Sequence, residues 1–453
     1  MILDLLLRDA RLVLPDVGVM PGAVGIRDGR IAAILAPDAT LPAERTIDCD
    51  GLLLMPGLVD PHVHFGYGSP ETDYETEARS AALGGVTSVL SFHRTADPRE
   101  TLPGERDLAV RQSCIDIGFH IGLTHRLHVE TLAEVAGRFG INSAKLYLQY
   151  KGQAGLSKGF TEIDDGLLYQ AMLETRGVPG GVLGVHCENV EVIPALRDPL
   201  RRAGRADLAA WDEQSPDFLE AENVHRVGYF AQKTGCPVNI VHLSSREALE
   251  EARRHRRRSR VPLTVETCPH YLALTRDAAA GPLAKVNPPV RSQGDIDALW
   301  EGVLDGTVTT IGTDHVPRKR ETKREIWSAT MGLPGVATLL PVLLHEGYHA
   351  RGVPLERIAA LTSANAARLY GLASKGQIAI GRDADLVLVD PDLERTVDPA
   401  ALESFADYSP FEGMTLKGWP VMTLLRGRVI ARDGAIPPDV REKPSGRYLA
   451  RGA

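Results

Sequence analysis

Two histidines, His62 and His64, stand one residue apart at the end of the apolar run LMPGLVDPHVHFG, Leu54 to Gly66. In an extended strand, residues two apart project from the same face, so both rings point together from the strand's C-terminal end. Paired neutral imidazoles suit a divalent cation; the alternative is a structural pair packed in a core. Other apolar runs end in similar groups. His186 closes VLGVH, His242 closes VNIVH, Asp314 closes TTIGTD, and Lys145 lies within SAKLYLQY. Four imidazoles, a carboxylate and an amine brought to one place match the ligand needs of a two-metal hydrolase. Lys145 is the odd member, because an ammonium has no lone pair to give a metal. Carboxylation of the amine by carbon dioxide would convert it into a carbamate whose two oxygens can bridge two cations.

Those residues need a scaffold that brings strand ends together. Eight β-rich runs, GLVDPHVH, VTSVLSFH, DIGFHIGL, SAKLYLQY, VLGVHCE, VNIVHLS, LTVETCPHY and VTTIGTDH, alternate with helical patterns. Repeated βα units of that number predict an α/β protein with a closed (β/α)8 barrel, whose catalytic groups sit at the C-terminal ends of the strands. Short apolar runs broken by turn signals occupy residues 2–49, with the hairpin pair Asp28-Gly29 between two of them, and the same texture returns after Lys375. Both termini are therefore expected to build one small β-sandwich domain: residues 1–54 and 372–453 around a catalytic barrel at 55–371.

Composition narrows the function classes. The chain has 453 residues, with 51 Lys and Arg against 59 Asp and Glu, a formal charge of −8 that gives no argument for a nucleic-acid surface. The basic run RRHRRRSR from Arg253 follows Glu247, Glu250 and Glu251 and reads as the exposed end of a helix. Five cysteines, odd in number and without a CxxC pair, suggest neither a disulfide framework nor a thiolate zinc site, which implies a reducing, cytoplasmic setting. No stretch reaches the ~18 apolar residues of a membrane span. Neither a membrane nor a nucleic acid is expected as a partner.

The landmarks PGLVDPHVHF, AALGGVT, AKLYLQYKG, VHCEN, VHLSS, ETCPHYL, NPPVR, GTDHVP and RDADLVLVD run over nearly the whole chain. With them the sequence resembles the cyclic amidohydrolases of the amidohydrolase superfamily: dihydropyrimidinases, hydantoinases, allantoinases and dihydroorotases. The resemblance implies His62 and His64 on the more buried of two divalent ions, with zinc the expected metal, and His186 and His242 on the more exposed one. Carboxylated Lys145 would bridge the two, and Asp314 would complete the first site and shuttle the proton. It implies a small cyclic amide as substrate and a homo-oligomer, dimer or tetramer.

Within the family, Tyr150 followed by Lys151 resembles the hydantoinase and dihydropyrimidinase branch, where a tyrosine stands five residues after the bridging lysine. Tyr150 is thereby expected to donate to the oxyanion formed at the ring carbonyl. Asn287 and Met331 would offer mainly backbone contacts to the imide edge, Met331 standing where that branch usually carries Asn. The Arg and Asn by which dihydroorotases hold a carboxylate are replaced by Gly66 and Arg94. His93 and Arg94 at the mouth nonetheless leave room for an anionic substrate, so the alternative is an allantoinase-like or dihydroorotase-like hydrolase. A non-catalytic dihydropyrimidinase-like scaffold is the remote alternative, disfavoured because all six ligands are present. His120 reads as an interior histidine, and His270 and His315 as supports behind the ligands.

Overall fold

Strands buried on both faces read as near-continuous apolar runs, and parallel pairing is what covers both faces. VTSVLSFH and DIGFHIGL follow that rule: all eight residues of each are buried. The computed structural model describes residues 2–15, 17–94, 96–156 and 158–451, the side chains of 153 and 154 excepted. The N-terminal part contributes β1 (Leu3–Leu14), β2 (Gly18–Arg27), β3 (Arg30–Leu35), β4 (Ala43–Asp48) and β5 (Leu53–Pro56). Then come β6 (Leu58–Val63), β7 (Val86–His93), β8 (Asp116–Leu123), β9 (Ser143–Tyr147), β10 (Val182–His186), β11 (Val238–Ile240), β12 (Leu263–Thr267) and β13 (Thr310–Ile311). The C-terminal part adds β14 (Leu386–Thr396), β15 (Thr415–Leu425) and β16 (Arg428–Arg432).

Strands β6 to β13 pair in chain order and in parallel. The ring closes where Val63 pairs with His315 and the His64 amide donates to the His315 carbonyl at 2.8 Å. The fold is thus an eight-stranded parallel barrel with helices between successive strands. The remaining strands form one mixed sheet in the order β16-β15-β14-β5-β1-β2-β3, with β4 beside β1. The Asp28-Gly29 turn joins β2 to β3, both residues taking the positive φ that such hairpins need. This sheet encloses its own apolar core, which includes Leu12, Ile26, Leu54, Leu386 and Leu424.

Gly57 alone separates β5 of the terminal sheet from β6 of the barrel, and a Cβ there would lie 2.4 Å from Thr87 Oγ1. The terminal sheet therefore sets the position of the strand that carries His62. At the N-terminal end of the barrel Lys375 reaches Asp116 and Asp385 at 2.6 Å and Asp383 at 3.0 Å, tying β8 to the terminal sheet. The segment before the C-terminus crosses the same end: Ile117 exchanges backbone hydrogen bonds with Arg447 and Leu449, and Arg451 donates to Ser143 Oγ at 2.9 Å and to the Phe119 carbonyl. The basic run ends the helix Arg246–Arg258, as its charge pattern predicts.

Several of the expected strands are shorter in the structure, SAKLYLQY ending at Tyr147 and VLGVHCE at His186, and three differ most. VNIVHLS forms hydrogen-bonded strand only over Val238–Ile240, and VTTIGTDH only over Thr310–Ile311, while LTVETCPHY leaves β12 at Thr267 for the short helix Pro269–Ala273. His242 and Asp314 have φ of 41° and 50°, outside the extended range of regular strand. Both side chains are aimed by a left-handed turn just beyond the strand, a type of backbone strain that persists where surrounding structure enforces it.

Candidate active site

Six side chains converge at the C-terminal mouth. His62 Nε2 lies 2.8 Å from Lys145 Nζ and 3.0 Å from Asp314 Oδ1, and His64 Nε2 is 3.0 Å from the same oxygen. His186 Nδ1 faces His242 Nε2 at 2.9 Å, and the His62 and His242 rings are 5.3 Å apart. The period-2 argument holds for the first pair: both rings face inward against Phe92, with centroids at 4.7 and 5.0 Å.

Supporting carboxylates orient two of the four rings. His62 Nδ1 donates to Glu266 Oε1 at 2.5 Å, leaving the Nε2 lone pair for the centre. His186 Nε2 donates to Glu188 Oε2 at 3.2 Å, and Glu188 in turn accepts from Ser215, so Nδ1 faces inward. Carboxylates placed behind ligand histidines hold the tautomer and raise the basicity of the ring. Glu266 and Glu188 lay in the landmark segments ETCPHYL and VHCEN without being assigned; a carboxylate inside a buried strand, or two residues past a candidate ligand, was the available signal. Asp60 acts one layer further back, accepting from the Thr313 hydroxyl at 2.5 Å and the Thr313 amide at 3.1 Å beside Asp314.

The electrostatics suit cations. Burial pulls His64 down to about 3 and His242 well below the usual imidazole range, so both rings are neutral with lone pairs available. Burial alone would push Asp314 up, but contacts from His62 and His64 outweigh it and hold the carboxylate well below its ordinary range. Burial pulls the Lys145 amine down to about 8, against the opposing charges of Asp314 and Glu266. His64 Nδ1 and His242 Nδ1 are buried without a hydrogen-bond partner among the described residues. Ligand atoms of His62, His242 and Asp314 lie within 4.8 Å of one another. His62 goes the other way: burial and Lys145 lower it, but Glu266 and Asp314 outweigh them and raise its pKa, so a cation bound there must displace its proton. Two neutral imidazoles, an ionised carboxylate and a deprotonatable amine around His62 fit divalent metal.

A small inner chamber of about 70 Å³ is lined by His64, Lys145, His186, His242, Asp314 and Asn287, among others. An outer chamber of about 1230 Å³ opens beyond it, with Phe65, Tyr74, Leu108, Phe160 and Trp327 in its wall. Tyr67, Arg94, Tyr150, Arg318 and Met331 line both and form the neck between them. Tyr150 ends the turn Leu148–Tyr150 that follows β9, and its ring packs at a tilt on Phe160, with centroids 4.1 Å apart. Asn287 Oδ1 is buried without a partner among the described residues. The Met331 carbonyl accepts from Arg318 Nε at 3.3 Å.

His93 is placed differently from its expected position at the mouth. Its ring is buried against the helix Pro98–Gln112, on Glu105 and on Thr101 Oγ1 at 3.0 Å, and it lines neither chamber. Strand alternation is the reason: Phe92 and Arg94 face the barrel axis, and the residue between them must face outward. His120 is interior, held by Ser143 Oγ at 2.6 Å and the Pro61 carbonyl at 2.9 Å. His315 accepts from the Gly335 and Val336 amides at Nδ1 and donates to Glu77 from Nε2 at 2.8 Å, which fastens the loop after Asp314. His270 is buried against Tyr271.

A model of the amidohydrolase family matches residues 219–430. The chain is 32% identical to an L-hydantoinase of Paenarthrobacter aurescens over 466 residues, covering 99% of this chain and 98% of that protein. This chain belongs to the amidohydrolase family. Another member, an allantoinase of Rubrobacter xylanophilus, is 36% identical over 437 residues, covering 94% of this chain and 93% of its own. Among solved structures, an L-hydantoinase (dihydropyrimidinase) from Arthrobacter aurescens superposes with a TM-score of 0.91 at 30% identity, over 99% of this chain and 100% of that one. This amidohydrolase thus shares its whole length, barrel and terminal sheet together, with these relatives.

Proposed function

We propose that the chain is a metal-dependent hydrolase that opens the ring of a cyclic amide or imide of the hydantoin or dihydropyrimidine type. The observation that carries this reading is the convergence of His64, His186, His242, Asp314 and the depressed amine of Lys145 on one chamber, with His62 in contact with Lys145 and Asp314. The relatives named for hydantoin and allantoin hydrolysis support it. His62, His64 and Asp314 would hold one divalent ion and His186 and His242 a second, with Lys145 as its carbamate between them; zinc suits this nitrogen-rich set. When bound, such ions supply Lewis acidity and make water a nucleophile near neutral pH.

The protein's own groups account for the rest. Asp314, ionised and facing His62 and His64, takes the proton released as water adds to the ring carbonyl, then returns it to the departing ring nitrogen. Tyr150 at the neck donates its phenolic proton to the oxygen that gains charge. The unsatisfied Oδ1 of Asn287 accepts from a ring N–H. The C–N bond breaks and a carboxylate and a nitrogen terminus leave through the neck.

Testing requires the metal-loaded protein and a panel of hydantoin, dihydrouracil, allantoin, dihydroorotate and succinimide. Hydrolysis of at least one, with close to two divalent ions per chain by elemental analysis, is expected. Full activity with one ion or fewer overturns the two-metal assignment; no hydrolysis of any ring overturns the function.

A further inference from the structure

The neck contains two guanidinium groups with no acid to match them among the described residues. Arg94 donates from Nε to the Tyr67 hydroxyl, and its guanidinium lies over the Tyr67 ring at 4.3 Å and near Phe160 at 5.4 Å. Arg318 donates from Nε to the Met331 carbonyl and from Nη1 to the Tyr67 carbonyl, both at 3.3 Å. Tyr67 therefore tethers both, one through its hydroxyl and one through its backbone, on the loop directly after His64.

Among the described residues, neither arginine has a carboxylate within ion-pair distance. Glu105, the acid in the wall of the outer chamber, is already taken up by the Tyr74 hydroxyl and His93. Lys158 and Lys285 add further positive charge to that wall. Burial pulls Arg318 below the usual guanidinium range, and the charge of Arg94 adds to that displacement, so the two cations stand close enough to repel. Half-buried like charges held together are stabilised when an anion enters between them, and a planar fork matches a carboxylate in particular. Both arginines also border the inner chamber that holds Asp314, and the charge of Arg94 contributes to lowering Lys145, yet among the described residues neither guanidinium pairs with Asp314.

We infer that Arg94 and Arg318 form a carboxylate clamp, and that the substrate is a cyclic amide bearing an acidic substituent: ring in the inner chamber, carboxylate in the neck. The clamp sets specificity. It rests on the ring-hydrolase reading for its substrate, while the pairing of the two arginines with an anion can be tested without turnover.

The test compares hydantoin-5-acetate with neutral 5-methylhydantoin on the metal-loaded protein. The anionic ring is expected to have at least a tenfold higher kcat/KM. The ratio of anionic to neutral kcat/KM should fall on the order of a hundredfold in Arg318→Met and in Arg94→Met, the loss expected for a charge-assisted contact, and recover in part in Arg318→Lys. Raising the ionic strength should erode the preference, chiefly through KM. Equal use of both rings by the parent, or equal losses on both in the variants, overturns the clamp and leaves the ring-hydrolase reading standing. If neither ring is hydrolysed, calorimetry separates the two claims. Binding of hydantoin-5-acetate that is lost in Arg318→Met supports the clamp while the hydrolase reading falls, and absence of binding overturns the clamp as well.

Discussion

Two buried lysines mark the two ends of this barrel. Lys375, at the N-terminal end, is surrounded by Asp116, Asp383 and Asp385, and their charges overcome the effect of burial and raise its pKa. Lys145, at the mouth, has no carboxylate within ion-pair distance among the described residues, touches His62 instead, and is pulled down to about 8 by burial. The same side chain is thereby a permanent cation in one place and a reactive amine in the other. The contrast extends to their neighbours. At the closed end Arg426 pairs with Asp116 and Arg451 caps the Phe119 carbonyl and the Ser143 hydroxyl, whereas at the mouth Arg94 and Arg318 have no acid partner among the described residues. Charge that is saturated holds the fold, and charge left wanting is available to a ligand.

Breaking the reactive side of that comparison has the largest expected effect. Lys145→Ala should lower turnover on the order of a thousandfold or more and reduce metal content, with short carboxylic acids partly restoring both by supplying the missing bridge. Elemental analysis and rate assays with and without acetate check this. The pH direction follows from the depressed amine: carbamate formation needs the neutral form, so uptake of labelled bicarbonate by metal-free protein should rise as pH increases through about 8. Carbon NMR should show the signal in the parent and none in Lys145→Ala.

Tyr150→Phe sharpens the assignment at the neck. It removes one hydroxyl from a ring packed on Phe160, so packing survives while turnover falls on the order of a hundredfold, as for loss of one oxyanion donor. The decrease should appear in kcat more than in KM, because the bond strengthens in the transition state. Parent-like turnover with metals intact would remove the main residue favouring the hydantoinase branch.

Lys375→Met probes the saturated end and should spare the chemistry. Two buried carboxylates, Asp116 and Asp385, and the half-buried Asp383 would lose their shared cation, a change of about 3–5 kcal/mol for breaking a buried ion pair. Because the Lys375 pKa is raised on folding, its stabilisation is fully present below the ordinary lysine value and lost only as pH climbs past that value towards the folded one. The loss should therefore be undiminished between pH 6 and 9. Denaturant midpoints across that range measure it, and the kcat/KM of the folded fraction should stay within about twofold of the parent.

The same distinction explains what could be read in the sequence. His62 and His64 were legible because their face is set by a period of two, and the barrel by eight repeats of one pattern. His242 and Asp314 were legible as residues, but not as left-handed turns, since nothing in VHLSS or GTDHVP announces a positive φ. His93 was misplaced although alternation from Phe92 would have turned it outward. Arg318 escaped notice because VPRKRETK looks like an ordinary solvated loop, and only the fold brings it back over Tyr67. Glu266 is an isolated acid in the sequence, and its role lies in a contact with His62 Nδ1 that only the barrel brings about.

The single-residue junction at Gly57 also bears on the order of events during folding. β5 pairs with β14 through Leu54 and Leu388, so the strand that fixes the start of β6 waits for a partner encoded after the whole barrel. Pairings so distant in sequence close slowly, because loop entropy is spent before the contact returns anything. During synthesis His62 and His64 emerge early on a strand whose anchor is half built, β5 having β1 on one side and nothing yet on the other. The ligand cluster should become competent to trap metal only in the last step, when the chain's far end zips onto its beginning, which delays cation capture until the barrel around it is already formed.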